Sequence, residues 1–296
     1  MTRLVTLAAT QMHCDWNIQD NVDRAEQLVR EAASQGAQIT LIQELFETPY
    51  FCIEQDTKHL TLASTLDANP TIQRFSKLAE ELQMVLPVSW FERAGKVYFN
   101  SVAMIDADGT ILGVYRKTHI PNDVGYQEKQ YFSPGNTGFK VWNTRYGKVG
   151  LGICWDQWFP ETARCMALLG AEVLLYPTAI GSELEIEHDS APHWQAVMQG
   201  HAAANIMPVV ASNRIGTESS SKGDQHLTFY GSSFICNHLG QKVSEANRND
   251  SMVLAHQFDL DAIAEHRDRW CLFRDRRPEH YGPIMSLDGD IMVKTR

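Results

Sequence analysis

The chain has 296 residues, 44% of them hydrophobic and 21% charged, an ordinary globular balance with ample material for a core. A formal net charge of -10 without any Lys/Arg cluster argues against nucleic acid as a partner, and no apolar run reaches the length of a membrane span. The opening "MTRLVTLAATQMHCDW" has too short an apolar run for a secretory signal, so a cytoplasmic location is the default expectation.

In chain order, "RLVTLAAT" reads as a strand with Leu4 to Ala9 buried. "IQDNVDRAEQLVREAASQGA" reads as a helix, with Val22, Ala25, Leu28, Val29 and Ala32 at helical spacing, Asp20 or Asn21 as N-cap and Gly36 as its stop. "QITLIQE" is the next strand, ending at Glu44, and "NPTIQRFSKLAEELQ" the next helix. "MVLPVSWFE" and "VYFNSVAMID" are strands, "DADGT" is a hairpin turn, and "TILGVYRKTHI" returns as a strand ending near Lys117. "PNDVGYQEKQYFSPGNTGF" is a long loop, and loops of that length tend to carry function. "KVGLGIC" is a strand, "FPETARCMALLG" a helix and "AEVLLYPTA" a strand. "APHWQAVMQGHAAAN" is a helix, followed by the strands "IMPVVASN", "LTFYGSSFIC" and "SMVLAHQFDL". Between the first two of these strands, "GTESSSKGD" reads as a mobile polar hairpin tip, Gly216–Asp224, that either gates a site or decorates the surface.

No linker or short repeat divides the chain, so one domain over 1–296 is expected. Strand–helix alternation argues for parallel neighbours, and the hairpin turn and strand-rich later part for antiparallel ones. The fold class is α/β, with a mixed sheet or pair of sheets covered by helices.

Six cysteines occur, none in a C-x-x-C pair and none with zinc-site spacing, so neither disulfides nor a metal site is expected. Five read as small buried apolar residues. Cys154 differs, because it lies where a strand with Gly150 and Gly152 gives way to a helix that starts near Pro160. A thiol at such a turn lies close to unpaired backbone N–H groups, which lower its pKa and form an oxyanion hole. These residues alone leave a buried strand cysteine and a nucleophile both open.

A nucleophilic thiol needs a group to take its proton. His119 is one choice. A carboxylate is the other, if burial raises its pKa and a lysine lowers that of the thiol. Glu44 and Lys117 end two other expected strands, and ligands of α/β folds gather at the carboxyl ends of strands. Taken singly, each reads as an ordinary surface charge.

Taken together, "LIQELF" with Glu44, "YRKTHI" with Lys117 and "GICWDQWFPE" with Cys154 resemble the Glu–Lys–Cys triad of the nitrilase, or carbon–nitrogen hydrolase, superfamily, in matching order and spacing over essentially the whole chain. "GYQEKQYFSPGNTGFKVW", "YPTAIGSE", "HWQAVMQGHAAAN", "ASNRIG" and "RDRRPE" resemble its branch acting on linear carbamoyl amides. The resemblance implies a four-layer α-β-β-α sandwich and a homodimer or larger homo-oligomer, with the tail of about 270–296 at the subunit contacts. It implies a thiol amidohydrolase needing no metal or organic cofactor, with a small cationic substrate. Cys154 is then the nucleophile, Glu44 the base, Lys117 and the Trp155 N–H the oxyanion partners, and Glu128 a second glutamate that positions substrate and lysine.

A substrate with a protonated amine at its far end needs a carboxylate there. The resemblance gives that place to Glu183, in the acidic run "IGSELEIEHD", and makes Tyr50, Asn122, Tyr126 and Trp155 candidate pocket walls. Relatives acting on anionic amides, and a catalytically silent binding protein, are the alternatives.

Overall fold

The computed structural model describes residues 2–182 and 189–290. Its strands are β1 (Leu4–Gln11), β2 (Ile39–Leu41), β3 (Leu86–Ala94), β4 (Val97–Ile105), β5 (Ile111–Arg116), β6 (Val141–Thr144), β7 (Gly147–Leu151), β8 (Val173–Pro177), β9 (Val209–Ser212), β10 (Ile215–Ser219), β11 (His226–Tyr230), β12 (Phe234–Cys236), β13 (Lys242–Glu245) and β14 (Met252–Asp259). The α-helices are α1 (Ile18–Ser34), α2 (Pro70–Leu82), α3 (Pro160–Leu168), α4 (Ala191–Asn205) and α5 (Leu260–Trp270).

Two sheets form the middle of the molecule. One runs β14-β1-β2 and continues into β3-β4-β5, because Ile39 bridges to Val85 at the start of β3, with the Thr40 N–H donating to Val85 O at 3.1 Å and the Val85 N–H to Gln38 O at 2.9 Å. The other has the order β13-β12-β9-β8-β7-β6, with β7, β8 and β9 parallel.

Side-chain alternation along the strands decides the layering. In β8, Val173 and Leu175 join Leu7, Ile39, Val102, Tyr115 and Val210 in a core between the two sheets. Their neighbours Leu174 and Tyr176 face the other way, against Met166 of α3 and Trp194 and Met198 of α4. In β1, Ala8 turns outward to Val22, Leu28 and Val29 of α1 and Phe75 of α2, while Leu7 and Ala9 turn inward. Two sheets, each with an apolar inner and an apolar outer face, need a helical cover on both sides, which gives the four-layer α-β-β-α sandwich.

Several boundaries differ from the sequence expectation. The N-cap of α1 is Asn17, whose side chain accepts the Gln19 N–H at 3.2 Å; Asp20 and Asn21 lie inside the helix. Leu4 is half exposed at the start of β1. β2 stops at Leu41, three residues before Glu44, because Gln43 turns back to pair with both the N–H and the carbonyl of Met12, at 3.0 and 2.8 Å. "LTFYGSSFIC" is two strands in different sheets: Gly231 and Ser232 both have left-handed φ, of 53° and 54°, and redirect the chain between β11 and β12. The expected polar loop from Gly216 starts inside β10, and its tip is fastened, with Ser221 donating to Glu54 Oε2 from backbone N and Oγ at 3.1 and 2.8 Å. Cys165 and Cys271 are only partly buried, the first on α3 and the second just after α5. α5 buries only Leu260 and Ile263, so its apolar spacing carries little signal, and its capping Asp259 is the clearer mark. Among the described residues, no helix is long and apolar enough to cross a membrane.

Candidate active site

Lys117 follows β5 directly, and its backbone is fixed on both sides. Its N–H donates to Asn100 O at 2.8 Å, and its carbonyl accepts the Gly135 N–H at 2.7 Å. Gly135 permits that approach: a Cβ there would stand 2.1 Å from the Arg116 carbonyl oxygen.

Cys154 opens a short 3₁₀ turn, Cys154–Trp158, that links β7 to α3. Its φ of 43° is left-handed, a strained conformation for a residue with a side chain, of the kind that collects at functional sites. Gly150 and Gly152 make room for the elbow. A Cβ on Gly150 would lie 2.9 Å from Leu174 Cδ2, and one on Gly152 3.0 Å from the Tyr176 ring. Buried Asp156 fastens the turn. Its carboxylate accepts the Ile153 N–H at 2.9 Å, the His119 N–H at 3.0 Å and the Tyr115 hydroxyl at 2.7 Å. Asp156 thereby ties the cysteine elbow to the segment just after Lys117.

Glu44, Lys117, Glu128 and Cys154 are brought together from four separate segments. Lys117 Nζ donates to Glu44 Oε1 at 2.8 Å and to both oxygens of Glu128 at 2.8 and 2.7 Å. All three charged side chains are fully buried, and Cys154 is 5% exposed. Asn100 Nδ2 donates to Glu44 Oε1 at 2.6 Å, and the Tyr50 hydroxyl to Glu128 Oε1 at 2.7 Å. Glu44 Oε2 has no hydrogen-bond partner among the described residues. One oxygen of Glu44 is therefore committed to the lysine and the amide, and the other keeps its lone pairs.

Electrostatics differ from the expectation of a lowered thiol pKa. Burial, followed by the charge of Glu44, pushes the Cys154 thiol well above its ordinary value, and Lys117 only partly offsets this. The resting group is a neutral thiol, so a partner that accepts its proton is needed before it can serve as a nucleophile. Burial works against the Lys117 charge, but Glu128 and Glu44 outweigh it and hold the ammonium well above its ordinary range. His119, the alternative base, is committed elsewhere: Nδ1 lies 2.7 Å from Asp156 Oδ1 and its ring stacks on Phe159 at 3.6 Å.

Burial also pushes the Glu128 carboxyl up from 4.5 to about 7, against the pull of Lys117. Between these values the folded protein keeps a proton that the unfolded chain has lost. The stability this proton contributes is complete below the unfolded pKa of 4.5 and is lost as pH rises through about 7. Glu128→Gln removes the titration, so its Tm should rise relative to the unsubstituted protein across that window. A Tm difference that stays flat from pH 4.5 to about 7 would contradict the raised carboxyl.

The candidate pocket walls separate. Tyr50 is buried against Glu128, and its ring meets Tyr126 at 5.8 Å. The Tyr126 hydroxyl accepts the Gly181 N–H at 2.9 Å and so borders the segment entering residue 183. Trp155 is 38% exposed beside Trp158. Its N–H lies in the first turn of a helix start, where backbone donors lack intrahelical partners. Asn122 is exposed on its loop. Glu183, Glu185 and Glu187 lie outside the described residues. Sequence reading missed Asn100 and Asp156. A lone Asn inside an apolar strand and an Asp two residues after the cysteine were the available signals, and neither distinguishes a buried partner from a surface group.

Residues 6–268 match the model of the carbon–nitrogen hydrolase family. The chain is 55% identical to an N-carbamoylputrescine amidase of Oryza sativa subsp. japonica, over 97% of this chain and 96% of that one. It is 53% identical to a citrullinase of Francisella tularensis subsp. tularensis, over 95% and 98%. A carbon–nitrogen hydrolase crystal structure from Helicobacter pylori G27 superposes with a TM-score of 0.91 at 36% identity, covering 96% of this chain and 99% of that one.

Proposed function

The chain belongs to the carbon–nitrogen hydrolase family, and from that premise we propose that it hydrolyses N-carbamoylputrescine to putrescine, carbon dioxide and ammonia through a cysteine thioester. The observation that carries the mechanism is the divided Glu44 carboxylate: Oε1 is held by Lys117 and Asn100, Oε2 has no partner among the described residues, and the Glu44 charge acts on the neutral Cys154 thiol.

In this reading Glu44 Oε2 takes the Cys154 proton as Sγ attacks the carbamoyl carbon. The carbonyl oxygen gains the negative charge, next to the Lys117 ammonium and the Trp155 N–H. Collapse breaks the bond to the terminal nitrogen, and Glu44 returns the proton so that ammonia leaves. Glu44 then draws a proton from water, which attacks the thioester and frees Cys154 as a thiol. The product carbamic acid loses carbon dioxide and leaves the amine. Glu128, held by Tyr50, keeps Lys117 charged and in place throughout.

Glu183 is the carboxylate proposed to face the amine tail. A second reading keeps the carbamoyl head and changes the tail, since a relative of nearly equal similarity is a citrullinase. Ammonia release from N-carbamoylputrescine, citrulline and N-carbamoyl-β-alanine separates these readings. Preference for the first compound is expected, with Glu183→Gln raising KM about tenfold or more and changing kcat little. Preference for citrulline would transfer the assignment to the second reading, and preference for the anionic compound would overturn both. The exposed apolar side chains Leu168, Leu169, Trp270 and Leu272, on α3, α5 and the segments after them, support a homodimer or larger assembly joined through that surface.

A further inference from the structure

We propose that the buried ion pair of Arg214 and Glu218 is a positioning device for both site carboxylates, acting on Glu44 through its backbone and on Glu128 through Tyr50. The inference rests on the proposed Glu44–Cys154 chemistry and concerns residues that take no direct part in it.

Arg214 is fully buried. Its Nη1 donates to Glu218 Oε1 and Oε2 at 2.9 and 3.2 Å and to Thr48 O at 3.3 Å. Its Nη2 donates to Glu44 O at 2.7 Å and Leu45 O at 3.1 Å. Glu218 Oε2 also accepts the Tyr50 N–H. One ion pair therefore grips the main chain at residues 44, 45, 48 and 50. That segment begins at the proposed base and ends at the tyrosine whose hydroxyl holds Glu128.

The segment needs holding. Leu45 has a left-handed φ of 49°, which a non-glycine residue keeps only where its surroundings over-determine it. The guanidinium fork suits the task, because it reaches Glu44, Leu45 and Thr48 carbonyls and a carboxylate from one rigid plane. Stability alone is a poor account of the pair, since a buried ion pair adds little over an apolar packing of equal volume. Glu218 belongs to β10 and Arg214 directly precedes it, so the β10–β11 hairpin supplies none of the proposed reacting groups yet fixes where two of them stand.

Glu218→Gln keeps the shape and an acceptor for Tyr50 while removing the charge, and Arg214→Lys keeps the charge while losing the fork. Both are expected to lower kcat about 10- to 100-fold, as sub-ångström misplacement of a reacting group does, with KM nearly unchanged. The rate of Cys154 alkylation by iodoacetamide, resolved from the other cysteines by peptide mass spectrometry, should fall with kcat. Glu218→Gln combined with Tyr50→Phe should lose less than the sum of the single losses. A folded variant with lowered Tm but unchanged kcat and Cys154 alkylation would overturn the proposal and leave the pair merely structural; so would a change confined to KM. If Arg214→Lys does not fold, Glu218→Gln decides. Alkylation needs no substrate, so it tests the positioning even if no carbamoyl amide is turned over, an outcome that would sink the proposed function instead.

Discussion

Cys154→Ser is expected to cut ammonia release by about 10⁴-fold or more while leaving the fold in place. The thiol is buried, is pushed well above its ordinary pKa by burial and Glu44, and reaches the Ala179 carbonyl at 3.8 Å. A hydroxyl occupies less space and finds the same carbonyl, so packing changes little. The chemistry changes greatly, since a serine hydroxyl is far less acidic than a thiol and a carboxylate deprotonates it poorly. Tm should move by no more than about 4 °C, the equivalent of about 1 kcal/mol. Circular dichroism and ammonia release on one preparation check both parts. Turnover that stays within about tenfold would remove Cys154 as the nucleophile.

Lys117→Met carries the second large effect, and stability shows it as plainly as activity. Lys117 is the cation between Glu44 and Glu128, with no solvent reaching any of the three. Removing one partner of a buried charge pair typically costs about 3–5 kcal/mol, because the remaining charge is uncompensated. Here Glu128 relieves part of the cost by staying protonated, its carboxyl already being pushed up to about 7. The loss should therefore be greater above neutrality than in mild acid. Adding Glu128→Gln to Lys117→Met should recover stability without recovering turnover, since the proposed oxyanion partner is still missing. Urea unfolding at two pH values on either side of about 7 measures it. A Lys117→Met protein as stable as the parent above neutrality would mean that the cluster is not held as an ion triad.

The elements that carry the site were legible where pattern and chemistry coincide. Helical spacing from Val22 to Ala32 placed α1, and Asn69 and Pro70 marked the start of α2. Alternation placed most strands, although it joined β11 to β12, because two left-handed residues in a row leave little mark in a run of apolar letters. The expectation that Glu44 ends a strand missed the turn after Leu41, which Gln43 forms by pairing across to Met12. Such a contact, spanning 31 positions, has no local signature.

The residue types determined the chemistry that was possible: a cysteine at a strand-to-helix turn, a lysine and a glutamate near other strand ends, and glycines where the chain passes close to itself. They also determined the alternation that leaves apolar side chains on both faces of the strands, whereas the pairing of the strands into two stacked sheets belongs to the tertiary structure. Only the tertiary structure decided which groups meet. It gave His119 to Asp156 and, among the described residues, left one oxygen of Glu44 without a partner. It also showed that the thiol pKa is raised. The reason is that a pKa in a buried cluster depends on burial and on charges brought from distant segments, and neither is a property of the residues beside Cys154 in the chain.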